Sequence, residues 1–401
     1  MSTTETVTSA APATLELKAE TSLDYNKAEY KYAAYLPHYK LGEQPPLEEF
    51  EHYDVGLRAD PAKAALLHAT PEAVFRTITP AIGTEVRGVQ LSALAPQQLD
   101  ELALLAAERG VVVFYDQDFA DIGPERQRAY GQHFGRLHVH QMGGHIKGYP
   151  ELLPVYRDFV YVCFPDCGFY GDREGNLLTG PRAGAVDREI QNNISSIKWH
   201  TDMSYEINGM GTTTFLALDV PDAGGDTLYL STTAAYNALS PAFRAFLHGK
   251  SATHSGFSQA AVHEHRERYV RAPIETAHPI VRTHPVTGAK SLYVNRLYTR
   301  KILGLKEEES ATVLNFLYNH IEHGQDWHLR VRWAPGTVVV YDNRNTQHSA
   351  LRDFDVQEAV TRRHMLRITP QAERPYFDVA DRDGRKRETK EDAVENGKQT
   401  A

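Results

Sequence analysis

The 401-residue chain is 41% apolar and 10% aromatic, enough to bury a sizeable core and to exclude global disorder. Its formal charge of −9, with no basic stripe interleaved with aromatics, argues against a nucleic-acid or anionic-membrane partner. The longest apolar runs, such as ALLAA (103–107) and GVVVFY (110–115), are too short to span a bilayer, and two cysteines, Cys163 and Cys167, make no disulfide scaffold and only a weak zinc motif.

Residues 1–23 are rich in Ser, Thr, Ala and Glu without periodicity and read as a disordered tail. They show neither a basic start nor an apolar run, so no secretory signal is expected and a reducing, cytoplasmic setting fits best. Residues 24–78, with spaced tyrosines and prolines, read as an irregular N-terminal extension over a domain spanning 79–372. In that domain PQQLDELALLAAERG (96–110) has helical spacing and ends at a stopping glycine. The β-branched VVVFYDQDF that follows predicts a strand, and PERQRAYGQHFG (124–135) a helix with proline near its first turn. TTTFLALDV (212–220) and DTLYLST (226–232) predict strands around the turn PDAGG. AAYNALSPAFRAFLHG (234–249) and EEESATVLNFLYNHIEHG (307–324) predict amphipathic helices. HPIVRTH, KSLYVN, HLRVRW, GTVVVYDN and HMLRIT predict late strands, and 373–401 a second solvated tail. Helices around many short, spaced strands predict a mostly β fold with added helices and a double-stranded β-helix (jelly-roll, cupin-like) core. No G-x-G-x-x-G follows a strand, which argues against a dinucleotide fold.

The chemistry starts at WHTDMSY (199–205), where His200 and Asp202 stand one residue apart. The spacing is common: His52/Asp54, His265/Glu267 and His320/Glu322 share it. In a strand such residues leave one face and can grip one ion; in a helix they diverge. His320/Glu322 lies in a helical stretch and reads as a solvated helix end. His265/Glu267 falls in charge-dense HEHRERY, and His52/Asp54 in an irregular acidic stretch. His200/Asp202 alone is bracketed by strand-like residues, although in isolation a surface or core feature is a plainer reading of the pair than half a metal site.

Two imidazoles and a carboxylate on one face of an octahedral ion leave three positions open, which suits Fe(II) and oxygen chemistry. The best third ligand is His348 in GTVVVYDNRNTQHSA, just past the polar turn Asp342-Asn343-Arg344; the plainer reading is a hydrogen-bonded turn histidine. In TRRHMLRIT (361–369), Arg363 and Arg367 project from one strand face with Met365 between them. A guanidinium grips a carboxylate through two parallel hydrogen bonds, so inward arginines beside a triad would suit an anionic co-substrate and an anionic substrate. Two surface arginines on an edge strand are the alternative.

Five motifs in order, WHTD (199–202), GGDT (224–227), HPIVRTHPVTG (278–288), DNRNTQH (342–348) and RRHMLR (362–367), resemble the taurine dioxygenase family of Fe(II)- and 2-oxoglutarate-dependent dioxygenases. The resemblance runs from GTEVRGVQLSAL (83–94) to Arg367, and DYNKAEYKYAAYLP is similar to the fungal sulfonate dioxygenase branch. It implies iron ligands His200, Asp202 and His348. It further implies that Thr227 and Arg363 hold the 2-oxoglutarate carboxylate, and that His140 and Arg367 face the substrate's anionic head. Departures fall on the substrate side. Ile197 stands where the bacterial enzymes carry asparagine, Gln141-Met142-Gly143-Gly144 replaces a segment with tyrosine, and 164–193 is an insertion. The loop between His348 and Arg363 is also longer.

The expected activity is hydroxylation of an alkyl sulfonate such as taurine, releasing an aldehyde and sulfite with succinate and carbon dioxide. Alternatives are the same chemistry on a sulfate ester, a carboxylate or a purine such as xanthine, or a non-catalytic metal-binding jelly roll. Expected partners are a small anion and O2, with no nucleic acid or membrane; homo-oligomerisation is left open.

Overall fold

A computed structural model describes residues 30–38, 41–141, 144–158, 199–257, 270–351, 353–354 and 362–378. The expected tail at 1–23, Cys163, Cys167, the 164–193 insertion, His265/Glu267 and most of the second tail lie outside the described residues.

Fifteen strands run through the described residues: β1 (Val74–Thr77), β2 (Thr84–Arg87), β3 (Val111–Phe114), β4 (Leu152–Asp158), β5 (Thr212–Asp219), β6 (Thr227–Ser231), β7 (Ser251–Ser255), β8 (Glu275–Pro279), β9 (Val281–Thr283), β10 (Lys290–Leu292), β11 (Thr299–Ile302), β12 (His328–Val331), β13 (Val338–Asp342), β14 (Thr346–Ala350) and β15 (Arg362–Ile368). A seven-stranded sheet in the order β1-β2-β3-β13-β5-β15-β4 faces a three-stranded sheet, β12-β6-β14. All pairings are antiparallel except β2 with β3. The core is the jelly roll expected from the sequence.

Strand alternation explains why the central strands read as continuous apolar runs. On β13, Val338 and Val340 pack to the helical side while Val339 and Tyr341 point between the sheets. Val112 and Leu216 follow the first direction, Val113 and Ala217 the second. The interior is closed by Tyr229, Leu329 and Val331 from the smaller sheet. On the outer side lie α1 (Ala64–Leu67), α2 (Pro96–Arg109) and α3 (Pro124–His133), and Leu102 and Ala106 of α2 are fully buried there. Burying a Val or Leu side chain contributes roughly 1.5–3 kcal/mol, so the two layers hold the larger sheet from both faces.

The stretch expected as one helix at 234–249 is two, α4 (Thr232–Asn237) and α5 (Pro241–Leu247). Pro241 has no N–H to continue the first helix. Ser240 instead caps the second, its hydroxyl accepting from the Phe243 N–H at 3.3 Å. α6 (Glu307–His323) follows its expected span. Its end is packed rather than solvated: His320 bonds the Ala235 carbonyl at 2.7 Å and Glu322 pairs with Arg296 at 3.0 Å. The two side chains thus diverge, as helical spacing requires.

Among the described residues, the strand expected around WHTDMSY is reduced to one bridge. His200 pairs antiparallel with His348, each N–H donating to the other's carbonyl, at 3.2 and 2.9 Å. Beyond it the Asp202 N–H is taken by Asn343 Oδ1 at 3.1 Å, and Met203 turns into the left-handed region with φ 41°. A side chain thus replaces the ladder partner, and the strand stops.

Candidate metal and co-substrate site

The bridge sets two histidines side by side. His348 lies inside β14, not in the turn before it, and its ring centroid is 4.3 Å from that of His200. The β13–β14 turn, read as polar from the sequence, is buried: Asp342, Asn343 and Arg344 are each at most 1% exposed. Asn343 receives the Asp202 N–H and donates its amide to the Asp202 carbonyl at 3.2 Å. The backbone of Asp202 is thereby fixed from both sides.

These constraints bring together the three residues of the sequence-derived triad. Asp202 Oδ1 stands 3.8 Å from His200 Nε2 and 3.9 Å from His348 Nε2, and all three donor atoms lie within 4.8 Å of one another. Among the described residues no other group of three His, Cys, Asp or Glu meets that criterion. The electrostatics suit a divalent cation. Burial opposes ionisation of Asp202, but the charge of Arg367, the two imidazoles and the Tyr341 hydroxyl outweigh it and hold the carboxyl below its usual range. Burial, reinforced by His200 and Arg367 against the pull of Asp202, pushes His348 down to about 3, so its imidazole is neutral with a lone pair to give. The neutral His348 imidazole, the His200 imidazole beside it and an ionised carboxylate match the donor set of an Fe(II) facial triad.

Strand alternation also aims the arginines. Leu366 and Ile368 of β15 pack outward and Met365 inward, so Arg363 and Arg367 share the interior with Met365. Arg367 donates to Asp202 Oδ1 at 2.5 Å, touching a candidate metal ligand directly. Arg363 is 5% exposed and donates from Nε to the Gly225 carbonyl at 3.0 Å. At Gly225 (φ +70°) a Cβ would come within 3.2 Å of the Arg363 side chain, so a glycine lets the guanidinium approach. Thr227, two residues on, begins β6; its buried hydroxyl accepts from the Trp333 indole at 3.0 Å. Tyr229, one further pair along β6, lies in the fields of Asp202, Arg363 and Arg367 together.

His140 is half-buried, its ring 6.1 Å from that of His138. It is His138 that is enclosed, against Glu206 at 3.2 Å and Arg271 at 3.1 Å, within the field of Arg367.

Several residues around the site escaped the sequence reading. Tyr341 donates its hydroxyl to Asp202 Oδ2 at 2.7 Å. Its inward parity with Val339 was available in VVVYDN, although nothing there names its partner. Asn343, Trp333 and the buried Glu206–Arg271 pair, 2.9 Å apart, depend on long-range contacts and left no local signal.

Comparison with known proteins gives a consistent result. The family described as "Taurine catabolism dioxygenase TauD, TfdA family" matches residues 75–369. The chain is 42% identical over 354 residues to an alpha-ketoglutarate-dependent sulfonate dioxygenase of Saccharomyces cerevisiae, covering 87% of this chain and 80% of that one. It is 40% identical over 350 residues to an alpha-ketoglutarate-dependent dioxygenase of Penicillium expansum, covering 86% and 87%. Among solved structures, a taurine dioxygenase from Burkholderia xenovorans superposes with a TM-score of 0.56 at 24% identity, over 79% of this chain and 95% of that one, which speaks to the fold.

Proposed function

Because the chain belongs to the taurine catabolism dioxygenase (TauD/TfdA) family, and so is an Fe(II)- and 2-oxoglutarate-dependent dioxygenase, we propose that it hydroxylates the sulfur-bearing carbon of an alkyl sulfonate. The products are an aldehyde and sulfite, with succinate and carbon dioxide. The observation that carries the substrate class is Arg367, a guanidinium held in the interior 2.5 Å from Asp202 and suited to receive an anionic head. The sulfonate named for the yeast relative agrees with it.

His200, Asp202 and His348 hold the metal, which supplies oxygen activation when bound. Asp202 stays ionised through Arg367 and Tyr341, and His348 stays neutral through burial. Arg363 and Thr227 receive the far carboxylate of 2-oxoglutarate, with Gly225 leaving space and Trp333 fixing the threonine rotamer. His140 and Arg367 orient the sulfonate. The apolar walls from Tyr229, Tyr341 and Met365 exclude water, which strengthens each of these charged contacts. We also infer a cytoplasmic enzyme and, on the charge of −9, one without a nucleic-acid or anionic-membrane partner; among the described residues no helix is long and apolar enough to cross a membrane.

The test is a panel of alkyl sulfonates, sulfate esters and purines, scored for succinate and sulfite together. Stoichiometric sulfite from a sulfonate supports the reading. Succinate coupled to a sulfate ester or purine, with no sulfite from any sulfonate, overturns it.

A further inference from the structure

The turn that fixes Asp202 is itself held by a buried charged cluster reaching both flanks of the chain. Arg344, with a side chain 0% exposed, donates to Asp342 Oδ1 and Oδ2 at 2.8 and 2.6 Å. The Arg344 N–H also bonds Asp342 Oδ1, at 2.9 Å, which closes the turn on itself. His284 supports the same carboxylate at 2.9 Å. On its other side, Arg344 Nη1 pairs with Asp54 and, at 3.4 Å, with Glu373 Oε2. Glu373 in turn pairs with the buried Arg282. Asp54 is oriented by the Gly56 N–H, which donates to its Oδ1 at 2.7 Å.

Asp54 and Glu373 both fall outside the stretch matched by the family, 75–369, yet they meet at one guanidinium next to the residue that holds Asp202. Asp342, from the turn itself, takes the Nε and Nη2 donors; Asp54 and Glu373, from two other segments, supply the acceptors for Nη1 that burial would otherwise leave unmet, and so tie the turn to both. The turn cannot then shift without breaking several charge-assisted bonds.

We infer that Asp54 and Glu373 are positioning residues of the metal site, acting through Arg344 and Asn343 on Asp202. The inference rests on the reading of His200, Asp202 and His348 as metal ligands. On this view the segments flanking the dioxygenase domain set the ligand geometry from outside it.

The test is calorimetric titration of the metal-free full-length chain with Co(II), alongside thermal unfolding. Asp202→Asn is compared first and should abolish site binding. Asp54→Ala and Glu373→Ala should each weaken Co(II) by about tenfold, the scale of outer-shell losses at metal sites. Arg58→Ala, which breaks the Arg58–Asp100 pair (2.7 Å) in the same segment, should lower stability and leave Co(II) affinity unchanged. Should Asp54→Ala not fold, Glu373→Ala alone decides. If Asp202→Asn abolishes binding while Asp54→Ala and Glu373→Ala bind as the wild type does, the ligand reading stands and the positioning role falls. An equal loss in Arg58→Ala also overturns it, and wild-type binding by Asp202→Asn removes its premise.

Discussion

The Tyr341 hydroxyl donates to Asp202 Oδ2 at 2.7 Å, while Asp202 Oδ1 faces both histidines and Arg367. One oxygen is thus held by the tyrosine, and the other lies among both imidazoles and the Arg367 guanidinium. Tyr341→Phe should leave the fold intact and weaken Co(II) binding by about tenfold, read by calorimetry. Unchanged affinity would show that Asp202 needs no such restraint.

Arg367→Ala should raise KM for the sulfonate by at least about tenfold, because a hydrogen bond between charged groups contributes roughly 1.5–3 kcal/mol. Decarboxylation of 2-oxoglutarate should continue, uncoupled from sulfite release. Lysine at this position should recover only part of the coupling, since it lacks the planar fork. Equal loss of succinate and sulfite in Arg367→Ala would instead place the residue with the metal.

Arg363→Ala should act on the other ligand, raising KM for 2-oxoglutarate with little change in that for the sulfonate. The split between the two constants checks the assignment. A mirror-image result would exchange the roles of the two arginines.

Three histidines away from the triad report on folding. Burial depresses His145 and His278 to about 4 and His364 to about 3. Their folded pKa values lie below the unfolded value of 6.5, so the unfolded chain binds protons that the native chain does not. Their contribution to stability should therefore be full above that value and decline as pH falls from it toward about 3. Thermal unfolding of the metal-free protein at stepped pH checks this, and a flat midpoint between pH 7 and 5 would contradict it.

Leu366, 0% exposed between the larger sheet and its helices, is a measure of the scaffold. Leu366→Ala should cost about 2–5 kcal/mol in denaturant unfolding, through lost burial and a residual cavity. A loss below about 1 kcal/mol would mean the layer relaxes around the gap.

What the sequence revealed and what it hid follow one physical division. Period-two alternation and helix stops are local, so β13, β15, α2 and α6 were readable, and with them the inward aim of Arg363 and Arg367. The triad was reachable because its chemistry demands particular residue types. What remained hidden depends on contacts between distant segments. Asp54 meets Arg344 across 290 positions, so its stretch looked merely irregular and acidic. Asn343 ends the expected strand at Asp202 by supplying a side chain where a ladder would otherwise continue. The break before Pro241 is different: the proline was in plain view, and helical periodicity on both sides of it masked the interruption.

The paired backbone bonds between His200 and His348 have a thermodynamic consequence. They fix the two main chains against each other, so only the side-chain torsions of the two histidines are left to be set when an ion arrives. Little ordering entropy is then lost on loading, unlike in small zinc domains whose folding is itself the binding reaction. Treatment with a chelator should accordingly yield a folded apoprotein with an unchanged circular dichroism spectrum, ready to be recharged.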